Sequence, residues 1–143
     1  MLKFAICDDE PYMAQEIVNQ LSRYMNWEQI ASYCVSSFQN GCSLLESGCD
    51  FDVIILDIQM EHLNGIETAK MLRQRKNHSL LIFVTVLKEC VFDAFEVEAF
   101  DYLLKPLDSG HFKRTMDRII KSLQQRETKS IVVQRGTSCD VIL

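Results

Sequence analysis

The chain has 143 residues, 48% of them hydrophobic and 24% charged, with a formal net charge of -5. That length and apolar content suit one domain with a true core and exclude a disordered tail. The acidic balance argues against nucleic-acid binding by the bulk of the chain, because phosphate contacts need clustered Lys and Arg.

Leu2 to Cys7 is an apolar run broken only by Lys3, as in a buried strand, and it ends in Asp8-Asp9-Glu10. Pro11 then opens a segment with Met13, Ile17, Val18, Leu21 and Met25 at helical spacing, Pro being tolerated in a first turn. Trp27, near the end of that helix, is expected to pack. Ala31 to Phe38 is rich in β-formers and gives a second strand, and Asn40-Gly41 before Leu44 and Leu45 marks a turn and a short helix. Phe51 to Leu56 is the third strand and ends abruptly at Asp57. A loop closed by Asn64-Gly65 leads to a helix carrying Ile66, Ala69, Met71 and Leu72. That helix ends in the basic run Arg73 to Asn77, expected to be solvated.

Leu80 to Val86 is a fourth strand, and Val91, Phe92, Phe95 and Val97 form a short helical segment. Asp101 to Leu104 is a fifth strand, ending in Lys105-Pro106. Phe112, Met116, Ile119, Ile120 and Leu123 then give the clearest amphipathic helix, with charges from Lys113 to Arg126 on its other face. Strand and helix alternate five times. This implies an α/β fold, a five-stranded parallel sheet with helices on both faces, because each parallel crossover needs a helix. After Arg126 the character changes: Ser130 to Gln134, Arg135-Gly136 and Cys139 to Leu143 suggest a hairpin, the opening of a second domain.

No run approaches the roughly eighteen apolar residues of a membrane span, and the amino terminus lacks a signal-peptide pattern, so the chain reads as cytosolic with no membrane partner. Cys7, Cys34, Cys42, Cys49, Cys90 and Cys139 are scattered without a CxxC pair, so reduced structural thiols are expected rather than disulfides or a thiolate metal site. His62, His78 and His111 are expected in solvent.

The carboxyl ends of parallel strands are where ligands collect in open α/β sheets. Here they carry Asp8 and Asp9 after the first strand, Asp57 after the third, Thr85 near the end of the fourth and Lys105 after the fifth. Packed carboxylates repel and call for a cation, and hard oxygen ligands suit Mg²⁺. Thr85 offers a hydrogen bond and Lys105 a compact charge, both suited to phosphoryl oxygens. An Asp nucleophile, a metal and a cation around one point would serve phosphoryl transfer. A blander reading stays open: Asp8-Asp9-Glu10 also fits simple charge preference at a helix start, and Tyr102 also fits an ordinary core position.

The segments CDDEP, LDIQMEHLNGIE, FVTV and AFDYLLKP, in this order, resemble the receiver domain of two-component response regulators, over roughly residues 1 to 125. The resemblance implies a (βα)5 flavodoxin-like receiver fold over residues 1–126, with residues 127–143 as linker and start of a truncated output domain. The segment KSIVVQRGTSCDVIL is similar to the first strands of LytTR-type DNA-binding domains. The receiver resemblance further implies that Asp57 accepts a phosphoryl group from a sensor histidine kinase. Asp8, Asp9, Asp57 and the backbone carbonyl of Gln59 would hold Mg²⁺, Thr85 and Lys105 would contact the phosphoryl oxygens, and the Lys105-Pro106 peptide would be cis. Tyr102 matches the aromatic that changes rotamer as Thr85 moves. The face of the fourth helix, fifth strand and fifth helix would respond, a homodimer is an expected partner state, and DNA would be reached only through the output domain.

Three positions depart from the family pattern. Glu61 stands where many receivers carry Pro, and Val86 where a small residue is usual. Leu87 stands where a polar residue often positions the hydrolytic water. An apolar Leu87 cannot orient water, so a long-lived phosphoryl state is expected. The competing readings are a phosphorylation-independent interaction module of the same fold and a metal-dependent phosphatase. The phosphatase is disfavoured because no D-x-D follows the first strand and no GxxxxGK[ST] or GxGxxG run is present.

Overall fold

The computed structural model describes the backbone of residues 1–48 and 50–135, and the side chains of this range up to residue 127. Ten elements alternate along the chain. They are β1 (Leu2–Cys7), α1 (Pro11–Trp27), β2 (Tyr33–Phe38), α2 (Gly41–Glu46), β3 (Val53–Leu56), α3 (Gly65–Gln74), β4 (Leu80–Thr85), α4 (Val91–Glu96), β5 (Asp101–Leu104) and α5 (Ser109–Arg135). The strands form one sheet in the order β2-β1-β3-β4-β5, and every pairing is parallel.

Successive side chains of a strand point to opposite faces, so each central strand feeds two cores. Phe4, Ile6, Val53, Ile55, Ile82 and Val84 pack under α1 and α5 with Ile17, Leu21, Phe112 and Met116. Ala5, Cys7, Ile54, Leu56, Leu81 and Phe83 pack on the other side with Leu44, Ile66, Ala69 and Leu72 of α2 and α3. Double-sided burial is why these strands are apolar throughout rather than alternating. Full burial of each large apolar side chain contributes about 1.5–3 kcal/mol.

Local chemistry fixes the helix starts that face the strand ends. Pro11 occupies the first turn of α1. Asn64 and Glu67 form a reciprocal capping box at α3, the Asn64 side chain accepting from the Glu67 amide at 2.9 Å and Glu67 from the Asn64 amide at 3.0 Å. Gly65 is dictated by space: a Cβ there would lie 2.1 Å from the Asp57 carbonyl oxygen. Without a side chain, α3 seats directly against the backbone of Asp57, and the Gly65 amide donates to Ile58 O at 2.8 Å.

Several expectations need correction. Trp27 does not pack; it is 79% exposed. It follows Met25 by two residues, about 200° around the helix, so it faces away from the Ile17-Leu21-Met25 stripe. Arg73 is not solvated. Its guanidinium is half-buried and donates to the carbonyls of Val97, Asn77, Ser79 and Glu98 at 2.8–3.0 Å, joining the end of α3 to the turns before β4 and β5. Burial pulls its pKa down, aided by the nearby charge of Arg126. The second strand begins at Tyr33 rather than Ala31. The strand expected at Ser130 to Gln134 is not formed, because those residues continue α5 to Arg135. Extending a helix satisfies each new amide internally, whereas a strand there needs a partner. The rest of that hairpin, from Gly136, lies outside the described residues.

Candidate functional site

In this strand order β1 has β2 on one side and β3 on the other, so the chain reverses its winding direction between β1 and β3 and leaves a crevice at their carboxyl ends. The Asp57 amide donates to Cys7 O at 2.9 Å and the Asp8 amide to Phe38 O at 3.1 Å, so sheet hydrogen bonding fixes both carboxylates at the crevice. Asp8 and Asp57 are 1% and 4% exposed.

Lys105 arrives from the end of β5, where its amide donates to Thr85 O at 2.8 Å. Its Nζ donates to Asp8 Oδ2 at 3.0 Å and to Asp57 Oδ2 at 3.1 Å, and lies 4.0 Å from Glu10 Oε1. The remaining oxygens are held by backbone: Glu10 N donates to Asp8 Oδ1 at 2.9 Å and Ile58 N to Asp57 Oδ1 at 2.7 Å. The Lys105-Pro106 peptide is cis, as the receiver resemblance implied.

Burial raises the pKa of Asp57, the charge of Asp8 adds to the rise, and Lys105 only partly opposes both. Burial alone would lower Lys105, but its bond to Asp8 and the charges of Asp57 and Asp8 outweigh it and the pKa rises. The Cys7 thiol, beneath the cluster and 3.8 Å from Met60 Sδ, is pushed up to about 12 by burial and then by Asp8, Asp57 and Asp9. It is a packing group, not a nucleophile.

Asp8, Asp9 and Glu10 each offer a carboxylate oxygen within 4.8 Å of the others. Three carboxylates, those of Asp8, Glu10 and Asp57, thus share the Lys105 ammonium, and Asp9 adds a fourth negative charge beside them. That uncompensated charge and an all-oxygen donor set fit a hard divalent cation such as Mg²⁺. Glu10 is the residue the sequence reading passed over: its carboxylate stays largely in solvent at the rim, 4.0 Å from the Lys105 ammonium, and the acidic run alone does not show that proximity. Gln59 lies exposed in the loop after Asp57.

Thr85 and Tyr102 form a second group. The Leu87 amide donates to Thr85 Oγ1 at 3.2 Å, and the Tyr102 hydroxyl donates to Leu87 O. One peptide segment therefore links both predicted switch residues. The Tyr102 ring lies 6.2 Å from that of Phe83, centroid to centroid. The free cysteines among the described residues are Cys7, Cys34, Cys42 and Cys90, and no described helix is long and apolar enough to cross a membrane.

The family model described as the response regulator receiver domain matches residues 4–117. A sensory transduction protein LytT of Bacillus cereus is 35% identical over 143 residues, covering 99% of this chain and 56% of that protein. The transcriptional regulatory protein YpdB of Escherichia coli is 30% identical over 131 residues, covering 90% and 52%. The chain thus spans about half the length of these relatives. Among solved structures, the response regulatory domain of mrkE from Klebsiella pneumoniae superposes with a TM-score of 0.77 at 28% identity, covering 87% of this chain and 99% of that one. The response regulator DrrB of Thermotoga maritima gives 0.68 at 26%, covering 85% and 54%. The five-stranded parallel sheet, the carboxylates gathered at its crevice and the matched residues agree, and the chain belongs to the response regulator receiver domain family.

Proposed function

We propose that this chain is the phosphoacceptor part of a cytoplasmic two-component response regulator, in which a sensor histidine kinase phosphorylates Asp57. The observation that carries the reading is the buried triad in which Lys105 Nζ bridges Asp8 and Asp57 at 3.0 and 3.1 Å. An Asp57 oxygen attacks phosphorus of the kinase phosphohistidine. The P–N bond breaks with its electron pair left on the imidazole nitrogen, and an aspartyl phosphate forms.

Asp8, Asp9, Asp57 and the backbone carbonyl of Gln59 would hold Mg²⁺, which when bound offsets charge on the phosphoryl oxygens. Lys105 exchanges its bond to Asp57 for one to a phosphoryl oxygen. Thr85 keeps a free O–H donor while its oxygen accepts from Leu87, so it can donate to the phosphoryl group. Drawing Thr85 inward pulls on Leu87 and hence on the carbonyl that Tyr102 holds. The new dianion thereby biases the face formed by α4, β5 and α5.

Residues 1–126 act as the receiver, and residues 127–143 as linker and opening of a LytTR-type output domain through which DNA is reached. A second copy of the chain is the expected partner of the responsive face. Adding beryllofluoride with Mg²⁺ should change intrinsic Tyr fluorescence in the wild-type protein and leave Asp57→Asn unchanged. An equal response in Asp57→Asn would overturn the phosphoacceptor reading and favour a phosphorylation-independent interaction module.

A further inference from the structure

Gln20, on the face of α1 that meets α5, is 6% exposed. Its Nε2 donates to Glu16 Oε1 at 3.1 Å and to Leu107 O at 3.3 Å, while its Oε1 is the one buried side-chain oxygen or nitrogen among the described residues without a hydrogen-bond partner. Turning the amide over would set its oxygen against two acceptors, so the network fixes the orientation. A buried carbonyl left without a donor is costly and calls for an explanation.

The same side chain lines a cavity of about 400 Å3 between α1 and the start of α5. That volume lies in the range of small-molecule sites, about 300–1,000 Å3. Tyr24, Trp27 and Phe112 supply three aromatic rings to its wall. Of the two cations at its edge, Lys113 Nζ lies 3.1 Å from Asp117, and Arg23 is paired more loosely, 3.9 Å from Glu16. The Tyr24 hydroxyl is likewise committed, donating to Asp117 Oδ1 at 2.7 Å. Aromatic walls favour a planar aromatic guest, the paired charges favour an uncharged one, and the single orphan acceptor asks for one donor.

We propose that this cavity binds a small, uncharged, planar aromatic molecule bearing one N–H or O–H group, of the indole kind, with that group bonded to Gln20 Oε1. The oxygen is itself buried, so the proposal requires side chains at the edge of the cavity to move aside for the donor; Arg23, Trp27 and Lys113, which line it, are exposed. The site is separate from the carboxylate crevice and its occupation does not require Asp57.

The test is a titration of the ¹⁵N-labelled 143-residue chain with indole and with 1-methylindole, which keeps the rings but lacks the donor. Indole should shift the Trp27 indole N–H, the Gln20 side-chain amide and the Phe112 amide, and 1-methylindole should bind about tenfold more weakly. Gln20→Leu should bring the two ligands to within about twofold of each other, and Trp27→Ala should weaken both. Should Gln20→Leu fail to fold, the wild-type ratio and the exposed Trp27→Ala variant still decide. Equal affinity of the two ligands for the wild type, shifts confined to other elements, or no shift up to the solubility limit each overturn the proposal.

Discussion

Lys105 and Asp57 form an ion pair across the end of the sheet, Nζ to Oδ2 3.1 Å, with side chains only 7% and 4% exposed. Asp8 shares the same ammonium at 3.0 Å with a fully buried side chain. Lys105→Met leaves both carboxylates buried without their cation, which should cost about 3–5 kcal/mol of stability. Urea denaturation in metal-free buffer measures it, and added Mg²⁺ should restore more stability to the variant than it adds to the wild type. A loss below about 1 kcal/mol would show that the pair is not the dominant neutraliser of the site.

Asp57 shows the opposite balance. Burial and the charge of Asp8 hold its pKa above the usual carboxylate value of 3.8 in the folded protein, so the folded state binds its proton more tightly than the unfolded state does. Stability therefore falls as pH rises from the unfolded value through the folded one. Asp57→Asn removes the penalty and should be more stable than the wild type at pH 7 without metal. The gain should vanish below pH 3.8 and shrink when Mg²⁺ is added. Thermal melts across pH test both trends; an Asn variant less stable than the wild type at pH 7 contradicts the argument.

Tyr24 ties α1 to α5 by donating to Asp117 Oδ1 at 2.7 Å. That bond holds the Asp117 carboxyl below its usual range, with Lys113 assisting, and raises the Tyr24 hydroxyl through burial first and Asp117 second. For a depressed carboxylate the contribution is complete above the unfolded value of 3.8 and is lost as pH falls through the folded value. Tyr24→Phe leaves Asp117 free to turn to water, so it should cost only about 1 kcal/mol at neutral pH. The difference should start to shrink as pH falls below 3.8 and close as pH passes the lower folded value, and a difference that persists unchanged into acid would count against this bond as its source.

Leu87 packs its side chain against the core that includes Phe83 and Ala94, while its backbone serves Thr85 and Tyr102. The side chain offers no group to hold a hydrolytic water. The aspartyl phosphate is therefore expected to be long-lived, and Leu87→Glu to shorten its lifetime at least about tenfold, or roughly 1.4 kcal/mol of barrier. Loss of radiolabel from the phosphorylated protein gives the comparison. A wild-type lifetime on the order of seconds would sink the idea, since uncatalysed loss should be far slower.

Periodicity alone was sufficient for the alternation of strands and helices, because strands buried on both faces must be apolar throughout and crossover helices must carry an apolar stripe. The same reasoning put Asp8, Asp57, Thr85 and Lys105 at one edge, since each follows or closes a run too apolar to sit anywhere but the sheet. Expectations resting on a residue's own character did worse. Trp27 looked like a core residue by size and Arg73 like a solvated end by charge, but exposure depends on helix phase and on which carbonyls lie within reach.

The sequence by itself determined the order of elements and the inventory of charges at the strand ends, because both follow from local pattern. Tertiary structure alone decided how that inventory is wired. Lys105 reaches two carboxylates from two other strands, Glu10 stands at the rim 4.0 Å from it, Leu87 lends one backbone segment to both Thr85 and Tyr102, and Gln20 keeps a buried carbonyl unmet. None of these contacts joins neighbours on one helix face or strand pair that a pattern can register. They exist because a parallel sheet sets neighbouring strand ends about 5 Å apart, so a long side chain such as that of Lys105 can cross from β5 to the ends of β3 and β1, where single hydrogen bonds choose the partners.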